Sequence, residues 1–161
     1  MTQANTPEQM VLDSTSATET EEFGAIIGQM LFGRELIVLS GELGAGKTVF
    51  VRGVARGLNV PAGVRVTSPT YVLQHKYSGG RLTLYHIDAY RLGGAADFEG
   101  SGLRECLDDP NGVVCLEWPE RVDGVDWPAS RIFVEIEHAG LDHRRIVIRG
   151  LNQSLPEFSR R

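Results

Sequence analysis

One octapeptide constrains this chain more than any other feature. Gly41-Glu-Leu-Gly-Ala-Gly46-Lys47-Thr48 satisfies every fixed position of G-x-x-x-x-G-K-[ST]. It follows the apolar run Glu35-Leu-Ile-Val-Leu-Ser40, whose continuous hydrophobicity is that of a strand buried on both faces of a parallel sheet. It opens the segment 47–57, in which Val51, Val54, Ala55 and Leu58 recur at helical spacing. Strand, glycine loop and helix, in that order, are the context the motif requires. The glycines let backbone N–H groups turn inward around a polyphosphate, and the helix N-terminus adds its partial positive charge. Lys47 sets a mobile cation against the β- and γ-phosphates, and the Thr48 hydroxyl offers one oxygen to Mg²⁺. The loop from Gly41 through Glu42, Leu43, Gly44, Ala45 and Gly46 to Lys47, Thr48 and Val49 is therefore expected to bind a nucleotide.

Other elements follow from periodicity and punctuation. Ser16-Ala-Thr-Glu19 matches a capping box, and Phe23, Ile26, Ile27, Met30 and Leu31 predict a helix over 18–32 closed by Gly33. Residues 72–77 and 82–88 predict a hairpin across Ser78-Gly-Gly80. A helix is expected over 95–107, before the Asp109-Pro-Asn-Gly112 turn. Val113-Val-Cys-Leu-Glu117 reads as a second buried strand, and 131–137 with 144–149 as a second hairpin. The set describes an α/β fold, a small single-domain P-loop NTPase. Its central sheet is mostly parallel, flanked by helices, with added antiparallel hairpin strands. The domain is expected over 14–150, with flexible ends at 1–13 and 151–161.

Composition narrows the classes. The chain has 161 residues, of which 42% are AVILMFWYC, enough for one core and too many for a disordered chain. Its 19 glycines exceed the usual share of roughly 7%, which calls for tight turns or close backbone approach. A net charge of −5 gives no bulk electrostatic footprint for nucleic acid or an anionic membrane. No apolar run reaches the ~18–20 residues that span a bilayer, and residues 1–22 lack the pattern of a signal peptide. Cys106 and Cys115 fit no zinc or redox spacing and read as reduced, buried thiols. A cytoplasmic protein is expected.

Lys47 and Lys76 are the only lysines, and Lys76 follows His75, so no N-K-x-D element marks guanine and ATP is favoured. Two acids end strands and compete for the Mg²⁺-facing role: Glu117, after four apolar residues, and Asp88, after an alternating run. Ser68-Pro69-Thr70 is either a switch that senses the γ-phosphate or a turn before a strand. His75, His86, His138 and His143 have no partners at metal spacing and read as structural.

GELGAGKT, followed by RG, TSPTY, YHIDAYRL and CLEWPERV, resembles the TsaE family, small bacterial P-loop ATPases required for threonylcarbamoyl-adenosine formation in tRNA. The order and spacing match over residues 14–150. The resemblance implies ATP and Mg²⁺ as cofactors, with Thr48 and Glu117 on the metal. It implies Lys47, Asp88 and Thr70 as catalytic residues, Asp88 near the attacking water and Ser68 with Thr70 as the switch. It also implies that Trp118 shapes the site and that Arg144, beside Arg145, approaches the nucleotide. Glu42 and Ala89 depart mildly from the family pattern, and the acidic helix after Tyr-Arg-Leu92 is thin. The implied partners are TsaD and TsaB, with tRNA met only indirectly and no membrane. The alternatives are a P-loop small-molecule kinase and a non-hydrolysing nucleotide-gated binding module.

Overall fold

Continuous hydrophobicity at 36–39 puts that run in the middle of a sheet, where both faces must be covered. In the computed structural model, which describes residues 9–151, one sheet contains all seven strands. They are Met10–Ser14 (β1), Leu36–Ser40 (β2), Gln74–Tyr77 (β3), Thr83–Asp88 (β4), Gly112–Glu117 (β5), Arg131–His138 (β6) and Arg144–Arg149 (β7). The spatial order is β1-β7-β6-β2-β5-β4-β3. The inner pairings β6-β2, β2-β5 and β5-β4 are parallel, and β1-β7, β7-β6 and β4-β3 at the flanks are antiparallel. This is the expected mixed architecture, a parallel centre extended by hairpins.

Strand alternation sorts the core into two layers. Ile37, Leu39, Leu84, Val113 and Cys115 face the helices Ala17–Met30 (α1) and Lys47–Gly57 (α2). Leu36, Val38, Tyr85, Ile87, Val114 and Leu116 face Phe98, Leu103 and Val122 on the other side. Cys106 and Cys115 are free and buried, and burial raises both thiol pKa values.

The α1 cap forms as the sequence indicates, with a shift of one residue in its return arm. Ser16 Oγ accepts the Glu19 N–H at 3.1 Å, while the Glu19 carboxylate accepts from Thr15 rather than from Ser16. At the other end the helix stops at Met30, short of the expected 32. The Arg81 guanidinium donates to Leu31 O and Gly28 O there, a tertiary cap that no local signal announces.

Glycine has its largest effect between α1 and α2. A Cβ built on Gly24 would lie 2.2 Å from Phe50 O, on Gly53 2.0 Å from Glu21 O, and on Gly57 2.1 Å from Ala25 O. Gly24 with Gly28, and Gly53 with Gly57, form facing i,i+4 stripes along which the two backbones touch. Part of the glycine excess therefore serves helix packing, alongside the turns.

Four expectations are corrected. Residues 10–13, expected to fray, lie in edge strand β1, paired with β7 from Met10↔Ile148 to Ser14↔Arg144; their half-exposed alternation is too short to stand out. Residues 1–8 and 152–161 lie outside the described residues. The helix expected over 95–107 is broken into Ala95–Gly100 (α3) and Arg104–Asp108 (α4), because Gly102 between them turns left-handed at φ 79°. Strand β3 begins at Gln74, not 72, after Leu73 takes φ 61°. The hairpin loop is longer than Gly-Gly implies: Gly80 abuts Leu58 O, and Arg81 N–H donates to the same carbonyl at 2.9 Å.

Candidate nucleotide-binding site

Strand β2 ends at Ser40 and the chain turns through the glycine loop into α2. Gly41 holds φ 149°, and a Cβ there would strike Ile136 O at 2.5 Å. Gly46, at φ 109°, is the N-cap of α2. Both positions need glycine, one for space and conformation and the other for conformation.

Lys47, the first residue of α2, points back into the loop it closes. Its Nζ donates to Gly41 O at 2.6 Å and Glu42 O at 3.2 Å, and it lies 5.2 Å from the centroid of the Trp118 ring. The side chain is 93% buried, so this ammonium is not a solvated tip. Two carbonyls and an aromatic face offset its desolvation.

The two candidate acids converge by sheet register. Asp88 and Glu117 are Cα partners at the ends of parallel β4 and β5. Two-residue alternation puts Asp88 on the face of Leu84 and Glu117 on the face of Val113 and Cys115, the face that α2 covers. Both carboxylates are more than nine-tenths buried. Burial raises the pKa of Asp88 above the ordinary carboxylate value, and the Glu117 charge raises it further. The Tyr90 N–H, which donates to Asp88 Oδ1 at 3.0 Å, pulls it down, as do His86 and Lys47. Glu117 accepts from the wholly buried His86, whose Nε2 is 2.7 Å from Glu117 Oε1.

Trp118 follows at φ 59°, a left-handed conformation that carries strain for a bulky residue. That turn brings its ring over Lys47 and against Tyr90, with centroids 5.0 Å apart. Across the opening, Ser68 Oγ and Thr70 Oγ1 are 3.2 Å apart. The residue before them is clamped: Tyr77 OH accepts the Thr67 N–H at 3.1 Å, and His75 Nδ1 lies 3.1 Å from Thr67 O. These parts enclose a cavity of about 590 Å³.

A model of the family described as "Threonylcarbamoyl adenosine biosynthesis protein TsaE" matches residues 14–147. The chain belongs to the TsaE family. It is 46% identical over 109 residues to the tRNA threonylcarbamoyladenosine biosynthesis protein TsaE of Treponema pallidum, covering 68% of this chain and 78% of the relative. It is 36% identical over 141 residues to the TsaE of Aquifex aeolicus, covering 88% and 95%. The crystal structure of Bacillus subtilis YdiB superposes with a TM-score of 0.72 at 28% identity, covering 92% of this chain and 90% of that one.

In this TsaE-family chain the residues singled out in sequence fall into three groups. Leu43 to Val49, Ser68, Thr70, Asp88, Glu117 and Trp118 line the one cavity. Gly41 and Glu42 lie behind it, meeting Lys47 through their carbonyls. Arg144 braces the loop from the β7 side, its Nε donating to Ala45 O at 2.8 Å, whereas Arg145 is exposed opposite Asp13. Strand parity thus turns Arg144, not Arg145, toward the loop. Two residues of the site were missed. Tyr90 packs on Trp118, and His86, read as structural, bonds Glu117; its spacing of two from Asp88 was the signal.

The site suits Mg²⁺ by the chemistry of its donors. The Thr48 hydroxyl and Glu117 carboxylate are hard oxygens, and two buried acids side by side favour a cation. Among the described residues no three His, Cys, Asp or Glu gather into a cage. Mg²⁺ needs none, since it binds through one or two carboxylates together with substrate phosphates and waters.

Proposed function

We propose that this chain is a Mg²⁺-dependent ATPase that supports threonylcarbamoyl-adenosine formation in tRNA by acting on a TsaB–TsaD complex. The observation that carries the reading is the convergence of Lys47, Thr48, Asp88 and Glu117 on one cavity at the head of α2. In this reading Lys47 exchanges the Gly41 and Glu42 carbonyls for phosphate oxygens. Thr48 and Glu117 hold the metal. Mg²⁺ held there would neutralise charge on the nucleotide phosphates. Asp88, desolvated and therefore a stronger base than an exposed carboxylate, orients the attacking water and takes its proton as the γ-phosphorus–oxygen bond to ADP breaks. Ser68 and Thr70 sense the γ-phosphate from the opposite wall.

Membership of the TsaE family supports the partner reading, and the charge of −5 agrees with leaving tRNA phosphates to the partners. No described helix is long and apolar enough to cross a membrane, and two free buried cysteines suit a reducing cytoplasm. The test is ADP release from Mg·ATP, with and without TsaB and TsaD. Mg²⁺-dependent release that Lys47→Ala abolishes supports the reading. Phosphate appearing on a metabolite instead of water would establish the kinase alternative.

A further inference from the structure

His86 is wholly buried on β4, two residues before Asp88 and on the same strand face. Its Nε2 is 2.7 Å from Glu117 Oε1, and its Nδ1 meets no hydrogen-bond partner. At that distance a hydrogen must lie between the two atoms, or lone pairs would face each other. With the proton on Nε2, the ring donates to Glu117 and leaves only a lone pair unmet at Nδ1. The opposite tautomer would bury an orphan N–H, the costlier omission. The other neighbours of His86 are Leu84 on the same face and the register partners Cys115 on β5 and His75 on β3. An aliphatic side chain would fill the position without an unmet ring nitrogen, but would leave Glu117 Oε1 without its donor.

We infer that His86 is a positioning residue that holds one oxygen of Glu117 so that the other is presented to Mg²⁺. The inference rests on Glu117 being the metal acid, as proposed above. Metal-ligating carboxylates are commonly held by a hydrogen-bond donor behind them, and losing that donor typically costs 10–100-fold in metal affinity. An imidazole suits the role because its Nε2–H makes one directed hydrogen bond and so fixes one carboxylate oxygen. A lysine or arginine there would compete with the metal.

The experiment measures binding of a non-hydrolysable ATP analogue by calorimetry, in Mg²⁺ and in EDTA, for the wild type, His86→Gln, His86→Asn and Glu117→Gln. Glutamine presents its amide donor near the place of Nε2, and asparagine near that of Nδ1, away from Glu117. His86→Asn should lose about 10–100-fold of the affinity gained from Mg²⁺ while its affinity in EDTA is unchanged, and His86→Gln should keep that gain within a few fold. If Asn gives no cooperative thermal transition, His86→Met, which cannot donate, takes its place and must show the same loss. Equal gains from Mg²⁺ in the Gln and Asn variants overturn the inference, as does a full gain in the Met variant. Glu117→Gln separates the two levels. If it retains the whole gain, the metal reading of Glu117 fails and this inference with it. If it loses the gain while His86→Asn keeps it, only the role of His86 falls.

Discussion

Asp88 is a carboxylate kept from water beside a second carboxylate, so its chemistry and its cost to stability are linked. Its folded pKa is raised, chiefly by burial. The native state therefore binds more protons than the unfolded state between the ordinary value of 3.8 and the folded one, and stability falls as pH rises through that window. Asp88→Asn should consequently raise the Tm at pH 7 in EDTA, and the gain should vanish below about pH 4. The same variant should retain Mg·ATP yet lose hydrolysis, as calorimetry and ADP release would show. A variant that instead lost the Mg²⁺ dependence of binding would exchange the roles of Asp88 and Glu117. Lys47→Ala is a second case. Its partners are two loop carbonyls and a ring face rather than the apolar core. It should abolish ATP hydrolysis while leaving a cooperative melt.

At the scale of elements, the position of the phosphate loop depends on the seat of α2. That seat is the contact with α1, where Gly53 lies so close to Glu21 O that any side chain must push the helices apart. Gly53→Ala would gain helix propensity of about 1 kcal/mol from the removal of glycine. Overpacking against backbone costs about 1–3 kcal/mol, and more where nothing flexible can yield. The second effect wins because the obstructing atom is a carbonyl, not a side-chain tip. Gly53→Ala should lower the Tm, by about 2–4 °C for each kcal/mol lost, and should weaken nucleotide binding because the loop moves with its helix. Thermal melts with and without ATP check both effects. By contrast, Gly63→Ala, with open space around it, should melt near the wild type.

At the scale of the molecule, the cavity at the head of α2 opens beside a rim of exposed apolar side chains. Leu43 is 88% exposed and Tyr71 82%, and Tyr90 is half exposed. An open γ-phosphate site stabilises a transferring phosphoryl group weakly, because water screens the charges around it. Arg144, the arginine already at the loop, is engaged with the carbonyls of Ala45, Leu141 and His143. Absence of an arginine finger typically costs ~10³–10⁵ in rate, so the isolated chain should hydrolyse ATP slowly. Adding TsaB and TsaD should raise steady-state ADP release by orders of magnitude. Rapid turnover alone, unchanged by the partners, would favour a self-sufficient enzyme.

The sequence by itself determined the glycine loop that joins β2 to α2, the buried strands of the sheet centre and the acids that end them. Those signals are local: a fixed glycine spacing, an uninterrupted apolar run, a carboxylate at the point where the run stops. It also carried the family motifs, which the family match over residues 14–147 bears out. What it left open were matters of register and contact between distant segments. Which of Arg144 and Arg145 meets the loop depended on the pairing of β7 with β1 and β6. The edge strand at 10–14 is held by β7, more than a hundred residues away, so no neighbouring residue betrays it. The break near Gly102 and the glycine stripes of α1 and α2 needed the packing surfaces themselves. His86 looked like an ordinary core histidine because its partner, Glu117, lies 31 residues on and meets it only when β4 and β5 align in parallel. Local chemistry is written in consecutive residues; contact across the sheet exists only once the register is set.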